Sequence, residues 1–278
     1  MLLLNRIIYK NDTVLTDYSR EMSDINANTL PVVIVPAEDA IYIGSDLPFN
    51  HRYFIQSSVN AVAGLVSVSI WDGLAFTPAV DVIDLTSVSG VPFAQDGLIM
   101  WTTDRESGWS QEYSTENIPE LSTLKIYNNY WVKLTFSSAV AATFQYIGHK
   151  FAKDSDLNAY YGDLNRASVR EAFYEAVTPN WNTVHVAAAE EIVRDLRSSK
   201  VVVSVNQIFD PDTFRDAACH KLAEIVYSSF GPSHADRLNF AVVKYKEAMN
   251  KLVFGVDRNA NGRLDFSEKI REFRIRRG

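Results

Sequence analysis

The chain has 278 residues, 47% of them apolar and 22% charged, with a formal net charge of −7. That is an ordinary globular composition, long enough for two domains or one large one, and a sizeable core can be buried without staples. A single cysteine, Cys219, excludes an internal disulfide framework, and no apolar run approaches membrane-spanning length.

The charge is unevenly spread. Residues 1–151 carry 8 Lys/Arg against 16 Asp/Glu, a balance of −8, whereas residues 152–278 carry 19 against 18. The split suggests two domains. It also speaks against nucleic-acid binding, general or sequence-specific, which needs a basic face. The opening residues, Met1, Leu2, Leu3 and Leu4 followed by Asn5 and Arg6, lack the long apolar core and cleavage site of a signal peptide. A soluble product made in the cytoplasm, with no membrane association, is expected.

Short β-branched and aromatic runs come first, at 32–35, 40–44, 53–55, 65–71, 80–83, 98–101, 130–136 and 142–147. Several alternate, and turn residues separate them. Such a series predicts a β-sandwich, jelly-roll-like, over residues 1–152. Trp71, Trp101 and Trp131 lie inside strand-like runs and are expected in the core. The interval 103–122 reads as a long polar loop. Trp109 inside it is the better candidate for a contact surface, stacking on a sugar or anchoring a neighbouring subunit.

The period becomes helical from about 154, and the polar stretch 153–156 marks the boundary. Helical patterns follow over 157–161, 167–176 and 182–197, with His185, Ala189, Ile192, Val193 and Leu196 on one stripe of the last. Residues 201–205 suggest a short extended piece. Asp210 and Pro211 predict a capped helix start, with Phe214, Ala217, Ala218, Leu222 and Ile225 turned inward. Ser233 and Asp236 resemble a capping box for a helix running to about 254. The fold class expected is α+β in two domains: the sandwich, then a helical bundle over 153–278.

Residues 257–268 read D-x-N-x-N-G-x-L-D-x-x-E. This spacing resembles the EF-hand calcium loop. Asp257, Asn259 and Asn261 converge on one point if the chain turns sharply at Gly262, where glycine takes positive φ. Arg263 would give its carbonyl, Asp265 would reach the ion, often through water, and Glu268 would close the shell with both oxygens. Leu264 would pack the loop on a neighbour, and 266–273 would form the following helix. A structural ion that pins the C-terminus suits one loop better than a switch, which needs paired loops and a Met-rich groove. An empty acidic turn stays open as the alternative. Arg271, Arg274, Arg276 and Arg277 then form a basic tail, either a solvated helix end or a dock for an acidic partner.

No catalytic set emerges. The histidines, His51, His149, His185, His220 and His234, show no metal-ligand spacing. Cys219 and His220 are neighbours on a helix and face different ways. Asp104, Glu106, Glu112 and Glu116 could be glycosidase carboxylates only if geometry brought them together.

The helical half resembles the head–tail connector (adaptor) proteins of tailed bacteriophages. The residues that carry the likeness are Leu157-Asn158-Ala159-Tyr160-Tyr161-Gly162-Asp163-Leu164, Trp181, the run 187–196, the run 217–223 and Tyr245, with the acidic loop and basic tail after them. The resemblance implies a non-enzymatic virion protein of the neck. It would form a homo-oligomeric ring, a dodecamer, between portal and tail proteins. The combination of 97–101, Trp109 and 130–134 is similar to β-sandwich modules attached to phage structural proteins. A carbohydrate-binding or adhesion module with a calcium-stabilised C-terminal region is the alternative.

Overall fold

The computed structural model of the chain describes residues 5–103, 108–264 and 268–270. The protein is α+β, with two antiparallel sheets followed by α-helices. Two compact units are present: residues 1–148 with 259–263, and residues 149–258 with 264–278.

The strands of the first unit are β1 (Asn5–Asn11), β2 (Val14–Asp17), β3 (Leu30–Ile34), β4 (Ala40–Ser45), β5 (His51–Ser58), β6 (Val66–Trp71), β7 (Phe76–Pro78), β8 (Val80–Asp84), β9 (Gly97–Thr102), β10 (Gln111–Ser114), β11 (Tyr127–Phe136) and β12 (Val140–Gly148), with a short helix α1 (Ser19–Met22). The larger sheet runs β2-β1-β4-β11-β6-β7, and β10 also pairs with β11. The smaller runs β3-β12-β5-β9-β8. From β3 to β6 each successive strand changes sheet.

Alternation explains the layering. β3 buries Leu30, Val32 and Ile34 and turns Pro31 and Val33 outward. One core joins the two sheets: Ile7, Ile41, Ile43, Val68, Val132 and Leu134 from the larger meet Leu30, Val32, Phe54, Ile99 and Phe144 from the smaller. Each such buried side chain contributes about 1.5–3 kcal/mol.

β4 is buried on both faces. Ile41 and Ile43 enter that core, while Ala40 and Tyr42 join Trp71, Trp131, Ile118, Leu121 and Ile126 on the other side. The described part of the interval 103–122, residues 108–122, is therefore not an open polar loop. It contains β10 and two 3-10 turns, Thr115–Asn117 and Pro119–Leu121, whose apolar residues cover the outer face of the sheet. Gly44 faces Trp131 across the ladder, and a Cβ there would lie 2.8 Å from the indole. Only glycine leaves room for that ring.

In the second unit the helices are α2 (Asp154–Leu157), α3 (Ala167–Tyr174), α4 (Asn182–Ser198), α5 (Arg215–Ser229) and α6 (Ala235–Lys251). Ala188, Ile192 and Leu196 of α4, Ala218, Leu222 and Val226 of α5, and Ala241, Tyr245 and Met249 of α6 share one core. Trp181 closes one end of it and donates its indole N–H to the Leu164 carbonyl at 2.9 Å.

Local expectations fail where side chains found other partners. Residues 201–205 form no strand, because Val203 is exposed and Val205 opens a 3-10 turn, Val205–Gln207. Asp210 makes no capping bond, and a 3-10 turn, Pro211–Phe214, precedes α5. Ser233 forms no capping box: its hydroxyl donates to the Phe230 carbonyl at 3.2 Å, and His234 takes the cap position of α6.

Buried histidines set a pH dependence: His51 in the first unit, and His185 and His220 in the second, where burial lowers His220 as well. Burial first, then the Arg52 guanidinium, pushes His51 down to about 3. Burial likewise lowers His185, against the pull of its bond to Asp154 at 3.1 Å. Below about 6.5 the unfolded chain takes up protons that the folded chain refuses. Stability is therefore fully present above that pH and is lost as pH falls toward the folded values. For each histidine that stays neutral the loss is about 1.4 kcal/mol per pH unit. Denaturant unfolding at pH 7 and at pH 5 should show it, and His51→Gln should flatten the dependence.

Candidate calcium loop

α6 stops at Lys251, short of the expected 254, because Phe254 and Gly255 are drawn into a ladder. β13 (Phe254–Gly255) pairs antiparallel with β14 (Lys269–Ile270), Phe254 opposite Ile270 and Gly255 opposite Lys269. This replaces the expected helix at 269–270; residues 266, 267 and 271–273 of that expectation lie outside the described residues. The ladder brings the two ends of the loop side by side. Leu264 packs on Gly255, where a Cβ would lie 2.5 Å from its methyl groups.

Asp257 is 1% exposed and Glu268 5%. Burial of a carboxylate is costly unless it is paired or ligates a cation. The Arg258 N–H donates to Glu268 Oε1 at 2.8 Å, and the Val256 N–H to the Glu268 carbonyl at 3.1 Å. Gln207 fixes the start of the loop: its carbonyl accepts from the Asp257 N–H at 3.0 Å, and its amide donates to the Asp257 carbonyl at 2.8 Å. Gln207 Oε1 also accepts from the N–H groups of Val203 and Ser204, at 2.7 and 3.1 Å. Nothing in the motif points to Gln207, which lies 50 residues away along the chain.

Residues 259–263, grouped with the first unit, hold the central positions. Asn259 Oδ1 accepts from the Asn261 N–H at 3.1 Å, and Asn261 Oδ1 from the Arg263 N–H at 2.8 Å. Gly262 has φ 74, the left-handed turn that the motif requires. These local bonds hold both side-chain carbonyls against the loop's own backbone. The donors named by the motif are all oxygens, which suit a hard cation such as calcium. Asp265 lies outside the described residues. Among the described residues no group of three or more His, Cys, Asp or Glu side chains is set to hold a metal.

No protein family, curated protein or solved structure matches the chain.

The other expected residues are placed as follows. Trp109 is not an exposed anchor. It is half-buried, with its ring 5.2 Å from Phe49 and 5.9 Å from Tyr130. The exposed aromatics of that region are Tyr113, 72% exposed, and Tyr127, with ring centroids 6.0 Å apart. Glu112 is engaged, accepting from Trp71 Nε1 at 3.0 Å and from Asn117 at 2.7 Å. Asp104 and Glu106 lie outside the described residues. Cys219 is fully buried, and burial first, with the nearby carboxylates of Asp156 and Asp216, pushes its thiol up to about 12. It is no nucleophile at neutral pH. His220 lies 2.9 Å from the Tyr161 hydroxyl.

The second unit also has an open cleft of about 630 Å³ where α6 begins. Val169, Ala172 and Phe230 supply apolar wall, and Arg166, Asp236 and Arg237 supply charge. Asp163 there accepts from the Tyr227 hydroxyl and from the Arg237 guanidinium.

Gln207→Ala should destabilise the second unit by about 2–3 kcal/mol in urea unfolding, because it removes three side-chain hydrogen bonds, two of them buried, and strands their partners.

Proposed function

We propose that the chain is a non-enzymatic virion structural protein, a head-to-tail adaptor that assembles as a ring between portal and tail proteins in the neck. The two units serve as its domains, a jelly-roll-like sandwich and a helical adaptor domain. The observation that carries this reading is the surface of α6. The helix buries one stripe, Ala241, Tyr245 and Met249, yet leaves Phe240 and Val243 each 52% exposed one turn apart. Large apolar side chains left in water on a well-packed helix mark a contact surface. The cleft at the start of α6 offers a second seat of mixed polarity for a neighbour. The near neutrality of residues 152–278 permits like copies to pack, whereas the −8 of residues 1–151 opposes it.

Light scattering tests the reading. The purified protein, alone or with its portal, should form a ring of about twelve copies, the number the resemblance implies. Phe240→Asp should abolish assembly while leaving the melting temperature of the subunit unchanged. A strict monomer that ignores the portal would sink the proposal.

Calcium in the loop of 257–268 is part of the same reading. The ion would be held by Asp257, Asn259, Asn261, the Arg263 carbonyl, Asp265 and Glu268, and would brace the C-terminal segment. With three carboxylates in the set, affinity is expected on the order of 10⁻⁵ to 10⁻³ M. Calcium should raise the melting temperature, and Glu268→Ala should remove the increase. Identical melting curves in calcium and in chelator would leave the loop without its ion.

One observation favours a second reading, a glycan-binding role for the sandwich. Tyr113 and Tyr127 form an exposed edge-to-face pair on the β10–β11 strands, with the exposed side chains of Gln111 and Asn128 in the same strands. Rings flanked by amides can stack on a sugar and bond its hydroxyls. On an array of neutral oligosaccharides the protein should then bind, and Tyr113→Ala should not.

A further inference from the structure

The cleft at the start of α6 lies wholly within the second unit, and α3 begins at the same opening. Its volume, about 630 Å³, is that of a small-molecule pocket. One wall is apolar. Val169 and Ala172 of α3 line it, with Phe230 from the turn between α5 and α6. Phe230 is held by Phe173, with ring centroids 6.4 Å apart, and by the His234 ring at 5.1 Å. His234 in turn stacks on Tyr227 at 5.9 Å, the two planes 14° apart. The aromatic side of the cleft is therefore built before any ligand arrives.

The charges there are not equivalent. Asp163 is already satisfied: it accepts from the Tyr227 hydroxyl at 3.1 Å and is paired with the Arg237 guanidinium. Asp236 stands in the first turn of α6, where the partial positive charge of the helix end offsets it. Arg166 has no such counterpart. It is exposed at the cap position of α3, makes no capping bond, and its guanidinium has no partner among the described residues. Arg237 commits one N–H to Asp163, and a guanidinium carries five. Ser168, exposed in the first turn of α3, adds a hydroxyl. Both acids are thus compensated, while donors of positive charge remain.

We propose that this cleft binds an organic oxyanion, a phosphate or carboxylate group carried on an apolar or aromatic body. The oxyanion lies against Arg166, whose planar fork can give it two parallel N–H···O bonds, and Arg237 adds further donors. The body lies on Phe230 and Val169, which give up water to receive it. A cation is disfavoured because neither carboxylate is without a partner charge. The proposal goes beyond the assembly described above and does not depend on it, since every residue named belongs to one unit of one chain.

Calorimetric titration of the full chain with phenyl phosphate and with phenylacetate tests this, beside inorganic phosphate and benzyl alcohol. At least one of the two aromatic anions should bind, and the tighter of them identifies the oxyanion. Inorganic phosphate lacks the ring and benzyl alcohol the charge, so each should bind more weakly by roughly tenfold or more. Arg166→Gln should weaken the aromatic anion by roughly tenfold, the scale of one charge-assisted hydrogen bond. Its melting temperature should stay unchanged, because the guanidinium holds nothing else in place. Ala172→Glu, at an exposed position on the apolar wall, adds a carboxylate to the cleft and should abolish binding with the fold intact. If neither aromatic anion binds, the proposal is overturned. It is overturned equally if Arg166→Gln binds as the native protein does, or if inorganic phosphate and benzyl alcohol match the aromatic anions.

Discussion

A strand buried on both faces is the constraint around which the first unit is built. β4 has no side to give to water: Ile41 and Ile43 face one core, Ala40 and Tyr42 the other. A sheet covered on one side only would leave Tyr42, Trp71 and Trp131 exposed. The turns carrying Ile118 and Leu121 meet that need, and Gly44 lets the Trp131 ring lie flat against the backbone. The opposite sheet closes the other side. Phe49 and Trp101 lie in the core between the sheets, and Trp109 packs against it.

Much of this was legible in the residues, and the reason is locality. Alternation in β3 and the apolar stripes of α4 and α5 are properties of neighbours along the chain. The loop motif is local too, so its spacing could be read directly. What was not legible depended on meetings between distant segments. The interval 103–122 looks like a polar loop because Trp109, Ile118 and Leu121 are spread among polar and charged residues. Their partners, Tyr42, Phe49 and Trp71, lie some distance upstream. Trp109 was read as exposed for the same reason. Ser233 carried a capping signal, but the Phe230 carbonyl was the nearer partner for its hydroxyl. Gln207 carried only the local Ser204-x-x-Gln207 pattern of a capping box, and its bonds to Asp257 appear only in three dimensions.

The two units divide the physical work differently. The first concentrates negative charge and aromatic packing. The second is close to neutral and turns apolar side chains of one helix to the surface. Net negative charge in one unit adds self-repulsion there, whereas the near neutrality of the other does not.

The order of strands has a consequence for the birth of the protein. β4 pairs with β1 on one side and with β11 on the other, and β3 pairs with β12. While the ribosome is still translating the segments between them, neither β3 nor β4 has its later partner. A strand with two apolar faces and an unfilled edge must therefore wait through most of the first unit before it can close. Contacts of such long sequence separation form slowly and leave sticky intermediates. The sheets of the first unit can therefore close only after β11 and β12 have been made.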